Sequence, residues 1–184
     1  CDLHKGCTFS NYQVSNDGVV IPIDYDAAIT NIVNIPELLC GDTMISPIVT
    51  LKNNGAAVLQ TVTIAYEVLG GATGSLPWEG FLAPLQTANV QLPPIPVTAG
   101  EQTLVVSTTL PNGQADGGPL DDSDTLMFIA NLPGTEVTLL LTPDAYGEDL
   151  SWTLHTESGA LLYQGGPYPN GSTATIEPTF CLGE

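Results

Sequence analysis

Between Val58 and Leu69 apolar and polar side chains alternate, with Val58, Val62, Ile64, Tyr66 and Val68 largely on one side and Thr61, Thr63, Ala65 and Glu67 on the other. A period of two fits a pleated strand with one buried face, whereas a helix would scatter these residues around its circumference. The pattern recurs. Val19–Ile23, Ala27–Ile35, Ile45–Leu51, Trp78–Leu82, Ala88–Leu92, Glu101–Leu110 and Thr125–Asn131 read as further strands, and within Glu101–Leu110 the side chains of Leu104 and Val106 face away from Val105. Turn-forming runs separate them, among them Asn16-Asp17-Gly18, Lys52-Asn53-Asn54-Gly55, Gly70-Gly71 and Pro111-Asn112-Gly113. Pro22 assigns its strand to a sheet edge, because proline brings no N–H to a ladder. With 19 Gly and 15 Pro along 184 residues, little room is left for long helices. About seven strands over residues 26–131 have the count and spacing of an immunoglobulin-like sandwich.

A thinner set follows Pro133-Gly134. Glu136–Thr142, Leu150–Thr156, Ala160–Gln164 and Thr173–Glu177 read as strands, with Trp152 and Leu154 on one face and His155 on the other. Roughly fifty residues are few for an independent core. This unit is expected to pack on the first or to borrow strands. The chain therefore reads as all-β: an N-terminal extension (1–25) with an edge or donor strand at Val19–Ile23, an immunoglobulin-like sandwich (26–132), and a small, incomplete β-module (133–184).

Charge narrows the partners. Two Lys and no Arg stand against twenty acids, a formal net charge of −18. A polyanion cannot neutralise phosphates, which argues against nucleic acid and anionic membrane surfaces. No apolar run approaches the roughly 20 residues of a membrane span. Such a surface suits water rich in salt or divalent ions, where self-repulsion is screened. At 43% hydrophobic residues the chain is nevertheless a folding one.

Cys1, Cys7, Cys40 and Cys181 form an even, widely spaced set without a C-x-x-C pair. Two disulfides in an oxidising, extracellular or cell-surface compartment are expected. Three pairings are open. Cys1–Cys7 with Cys40–Cys181 is one, while Cys7–Cys40 would leave Cys1 for Cys181 or for a neighbouring chain. No leader is legible before Cys1, so the chain reads as a mature protein, with a lipid on Cys1 as an alternative.

Candidate chemistry is sparse. Asp116, Asp121, Asp122 and Asp124 fall within nine residues on a Gly-rich loop. Oxygen donors at that density suit Ca²⁺, with a carbonyl oxygen from Asn112, although the spacing is not that of an EF-hand. Asp144, Glu148 and Asp149 around Tyr146-Gly147 form a second acidic group. His155 is the only histidine in the β region, and no Gly-x-Ser-x-Gly phrase accompanies it, so no catalytic residue is assigned. His4 reads as a residue of a surface loop. Tyr146, Trp152, Tyr163 and Tyr168 are either a small core with turn plugs or a platform for sugar rings.

From Asp26 onward the runs AAITNIVNIPELLCGDTMISPIVTLKNNGAAVLQTVTIAYEVLGG, WEGFLAPL, VQLPPIPVTAGEQTLVVSTTLPNGQADG and DDSD resemble the bacterial cell-adhesion-related (CARDB-like), immunoglobulin-like domain. The likeness is greatest to its version in secreted multidomain proteins of the Bacteroidota. The stretch VTLLLTPDAYGEDLSWTLHTESGALLYQGGPYPNG, with FCL near the end, is similar to the β-module that often follows this domain in type IX-secreted proteins. The resemblance implies export, a non-enzymatic role in adhesion or surface assembly, and O-glycans at Asp-Thr-apolar phrases, here Thr43 and Thr125. That β-module usually runs further than Cys181-Leu182, which implies either a processed piece or a self-standing subunit. The expected function is a secreted adhesion or filament subunit that associates with itself or other surface proteins through strand exchange. The alternative is a carbohydrate- or calcium-binding accessory fragment of a larger secreted hydrolase. No cofactor other than Ca²⁺ is expected.

Overall fold

The computed structural model describes residues 12–14, 20–172 and 174–183. In chain order its strands begin with β1 (Tyr12–Val14), β2 (Val20–Pro22), β3 (Ala27–Val33), β4 (Leu38–Cys40), β5 (Met44–Ile45), β6 (Ile48–Asn53), β7 (Leu59–Val68) and β8 (Thr73–Leu82). They continue with β9 (Thr87–Gln91), β10 (Ile95–Pro96), β11 (Gly100–Thr109), β12 (Ser123–Asn131), β13 (Gly134–Thr138), β14 (Trp152–His155), β15 (Leu161–Gly165) and β16 (Thr179–Gly183). The contacts divide the chain into two units, one up to Gly134 and one from Thr135 onward.

The first unit is a sandwich. A three-stranded antiparallel sheet, β3-β6-β9, supplies Ile29, Ile32, Val49, Leu51 and Val90 to a common core. A five-stranded sheet in the order β4-β12-β11-β7-β8 supplies Val62, Ile64, Val68, Leu104, Val106 and Phe128. The alternation read in β11 holds, with Leu104 and Val106 buried and Val105 turned outward. Beyond these sheets, β5 pairs with β10 and β2 pairs antiparallel with β1, Pro22 lying opposite Tyr12. The proposed donor strand thus has a ladder partner in its own chain.

The structure departs from the sequence pattern in places that have physical causes. In β7 the buried position is taken by Leu59, not Val58, and the phase then shifts so that Val62, Ile64 and Val68 follow. A β-bulge between Leu59 and Thr61 absorbs the extra residue. Asn112 satisfies it: Oδ1 accepts the N–H groups of Gln60 (2.7 Å) and Thr61 (3.2 Å), while Nδ2 donates to the Val58 carbonyl (2.8 Å). Its side chain is a brace for the strand and is not open to a cation. Strand β8 starts at Thr73, earlier than the apolar residues announce, and half-buried Trp78 packs against the core opposite Val62. Strand β4, too short to show a period, pairs in parallel with β12 through Leu38, Leu39 and Cys40.

The second unit contains two two-stranded ladders, β13 with β16 and β14 with β15. Among the described residues 174–177 the expected strand Thr173–Glu177 is not formed. Ile176 makes a single bridge to Leu141, and Thr179–Gly183 takes the pairing instead, because it carries the buried Phe180 and Cys181. The expected strand Glu136–Thr142 likewise ends at Thr138. Phe180 packs edge-on against Trp152 (5.2 Å between centroids) and tilted against Tyr163 (4.6 Å).

In the β6–β7 turn the buried side chain of Asn53 donates to the carbonyls of Ala57 and Leu82 (both 2.8 Å) and accepts the N–H of Gly55 (3.0 Å). Asn53→Ala would strand these groups without water. It is expected to lower the unfolding free energy by about 2–3 kcal/mol, measured by urea denaturation, with an unchanged far-UV spectrum.

Candidate functional site

Register explains how distant residues converge. Ala27 in β3 lies opposite Asn53 in β6, so the chain entering β3 runs beside the β6–β7 turn. The N–H groups of Asn54 (2.9 Å) and Gly55 (3.0 Å) donate to the Asp26 carbonyl, and those of Ala56 (2.8 Å) and Ala57 (3.0 Å) to Ile23 and Asp24. From another side the β11–β12 loop closes in through Gly117 N–H to the Tyr25 carbonyl (2.8 Å). Glycine is required at two of these crossings. A Cβ on Gly55 would collide with the Asp24 carbonyl, and one on Gly118 with the Asp26 carboxylate.

Four acidic side chains gather there. Both oxygens of Asp116 are engaged by backbone, Oδ2 with the N–H of Ala27 (3.0 Å) and Oδ1 with that of Gly118 (2.8 Å). Asp121 Oδ2 accepts the Asn54 amide (2.5 Å). Thr108 fastens the loop: its hydroxyl donates to the Ala27 carbonyl, and its N–H to the carbonyl of Asp122 (2.9 Å). Asp26 is 2% exposed and Asn54 3%. Oδ1 of Asp26, Asn54, Asp121 and Asp122 is buried in each case and meets no donor. Beside them opens a cleft of about 310 Å³ lined by Ile23, Gly117, Gly118, Pro119 and Leu120 together with Asp26 and Asp121.

Burial, followed by the charges of Asp121, Asp116 and Asp122, pushes the Asp26 carboxyl up to about 7, against a weaker opposing pull from Lys52. Burial, then Asp116 and Asp121, raises Asp122 to about 6. A site that resists its own ionisation is donor-poor and negative. It can take up protons, or a species that behaves like several protons at once.

Of the residues singled out in the sequence, Asp116, Asp121 and Asp122 are brought together. Asp124 is not, because β12 has begun by Ser123 and carries it opposite Val106, its carboxylate on the N–H of Thr125 (2.8 Å). Asp26 and Asn54 were missed. The available signal was positional: each flanks a strand end, and pairing β3 with β6 in register sets them side by side.

The second acidic group is a solvated turn in which Asp144 accepts the Tyr146 N–H (2.8 Å), while Asn170 accepts that of Glu148 (3.1 Å). The aromatics there divide. Trp152 donates to Tyr168 (2.7 Å) and Tyr163 to the Cys181 carbonyl (3.1 Å), so both serve the small core, whereas Tyr146 is exposed. His155 is exposed and faces the Gly159 carbonyl at 3.2 Å. Thr43 and Thr125 are exposed. Cys40 and Cys181 are both disulfide-bonded. Cys1, Cys7 and His4 lie outside the described residues.

Both raised carboxyls bind protons more tightly in the folded chain than in the unfolded one, where they titrate near 3.8. Their contribution to stability is therefore complete below about pH 4 and is lost as pH rises through about 6 and then about 7. With divalent ions removed by a chelator, melting temperature is expected to fall over that window. The fall should be shallower in Asp26→Asn, by differential scanning fluorimetry.

No family model matches the chain, and no curated protein matches it. Among solved structures it is similar to the CARDB domain of a Pyrococcus furiosus protein, described in complex with di-metal ions (14% identity, TM-score 0.45, 67% of this chain and 97% of that one). A solution structure of that domain gives a TM-score of 0.47 at 14% identity, covering 59% of this chain and 96% of the other. A domain of a Methanosarcina acetivorans protein described as a putative cell surface protein gives 0.46 at 17% identity, covering 59% and 93%.

Proposed function

We propose that the chain is a non-catalytic contact module of an exported, cell-surface protein, serving adhesion or surface assembly. The observation that carries this reading is the outward face of the five-stranded sheet. Phe128 and Ala130 turn inward from β12, which leaves Met127 (69% exposed) and Ile129 (48%) in solvent, with exposed Leu38 paired beside Ile129. Next to them the same sheet carries an open hollow of about 260 Å³ lined by Val105, Ser107 and Ala65, with Thr73 at its border. Apolar side chains held rigidly on an uncovered sheet mark contact surfaces more often than they mark catalysis.

Export is supported by the disulfide bonding of Cys40 and Cys181, a bond type that persists in oxidising compartments. Among the described residues no helix is long and apolar enough to cross a membrane. The type IX route, O-glycans on exposed Thr43 and Thr125, and binding of other surface proteins or glycans belong to the same reading. A polymerising variant draws support from the second unit. Its ladders are two-stranded, and Leu140, Leu161 and Leu162 are exposed, so an added strand would find both free backbone groups and apolar surface.

Beads coated with the chain are expected to adhere to one another or to the producing cells. The double variant Met127→Glu, Ile129→Glu should abolish adhesion while keeping the wild-type melting temperature within a few degrees. Equal adhesion of variant and wild type would remove this face from the proposal. Independently, Cys40→Ser with Cys181→Ser is expected to cost about 2–5 kcal/mol of unfolding free energy, because disulfide crosslinks restrict the unfolded chain. Chemical denaturation with and without reductant measures it.

A further inference from the structure

The four uncompensated oxygens cannot be explained as a hydrogen-bonding network that lacks one member. Each is an acceptor, and they belong to three segments that the fold brings together from a strand entrance, a turn and a loop. The nearby backbone donors are already used: those of Ala27 and Gly118 by Asp116, and those of Asn54 and Gly55 by the Asp26 carbonyl. A water molecule could donate to two of the oxygens, but it would leave the repulsion among Asp26, Asp121 and Asp122 in place. A proton on Asp26 or Asp122 would relieve part of the repulsion, whereas a cation with several open coordination positions would relieve it and partner all four oxygens at once.

We propose that Asp26, Asn54, Asp121 and Asp122 bind one divalent cation of the Ca²⁺ type, and that this ion clamps the segment entering β3 between the β6–β7 turn and the β11–β12 loop. The set contains only oxygen, which selects hard cations over zinc or copper. It mixes three carboxylates with one amide, and the adjoining cleft leaves room for water in the remaining positions. That combination favours the larger, irregular shell of Ca²⁺ over the strict octahedron of Mg²⁺. Among the described residues no three His, Cys, Asp or Glu side chains already stand as a ligand group. Binding therefore contracts the cluster, and Asn54 releases Asp121 or turns its amide so that Oδ1 faces the ion. Asp116 is a positioning residue here. Its carboxylate holds the loop to Ala27 and Gly118 without facing the ion.

The test uses the full chain, stripped with chelator and dialysed into about 0.15 M NaCl so that diffuse counterion binding to the acidic surface is screened. Calorimetric titration with CaCl₂ is expected to show one saturable site, with a rise in melting temperature that matched additions of NaCl do not give. Asp121→Asn with Asp122→Asn should weaken binding by about tenfold or more. Asp124→Asn, and Asp144→Asn with Asp149→Asn, should leave it unchanged. Because the double variant can lose its loop, hydrogen exchange on the wild type supplies a second readout: Ca²⁺ should slow exchange at the N–H groups of Ala27, Gly55 and Gly117. No saturable site in the wild type, or equal weakening by Asp124→Asn, overturns the proposal. So does saturable binding that leaves exchange at those three amides unaltered. None of these results bears on adhesion by the outward sheet face, which is measured separately.

Discussion

Everything in the first unit depends on keeping two apolar rows in phase, one on each sheet, across the gap between them. A strand side chain has only two directions, so a slip of one residue sends a whole row into water. The chain meets this constraint at β7, where Leu59 and Val62 both face inward although they are an odd number of residues apart. The bulge at Gln60 and Thr61 corrects the phase, and Asn112, from the turn after β11, accepts the two amides that the bulge would otherwise waste. Asn53 does similar work at the other end of the β6–β7 connection, tying the turn to Leu82 in β8. Two amide side chains, buried Asn53 and half-buried Asn112, thus set the register that the apolar residues exploit.

This explains which parts were legible in the sequence. Long strands with one wet face announced themselves: β7, β11 and β12 appear nearly where alternation puts them, since each is bounded by Gly, Pro or Asn turns. Short strands did not. Leu38–Cys40 has too few residues to show any period, and its pairing with β12 is parallel and remote, so nothing local reports it. The exchange of Thr173–Glu177 for Thr179–Gly183 was hidden for another reason. Both stretches have β-favouring residues, and only the demand of Trp152 and Tyr163 for Phe180 decides between them.

The acidic site shows the same division between local and non-local information. Asp116, Asp121 and Asp122 were visible as a dense run, yet density alone put Asp124 with them and gave Asn112 a role it does not have. Asp26 and Asn54 carry no motif. Their proximity follows from the β3–β6 register, which is a property of the folded sheet and not of either segment. What the sequence held was composition; which carboxylates share a space was decided by Thr108, by Gly118 and by the bonds that Asp116 makes to the backbone.

A buried carboxylate surrounded by others is an odd element in a chain that already carries a net charge of −18. Stability by itself argues against it, because an uncharged residue in place of Asp26 would relieve both desolvation and repulsion. The surrounding structure does little to soften the charge. It directs its available N–H groups to Asp116 and to main-chain carbonyls, and the pull of Lys52 on Asp26 is weaker than the burial and neighbouring carboxylates that oppose it. A fold that directs the N–H groups nearest this cluster to other acceptors while leaving four side-chain oxygens bare has separated two tasks. Hydrogen bonds shape the cavity, and the oxygens are left to a charge that the polypeptide, with its two lysines, has scant means to provide.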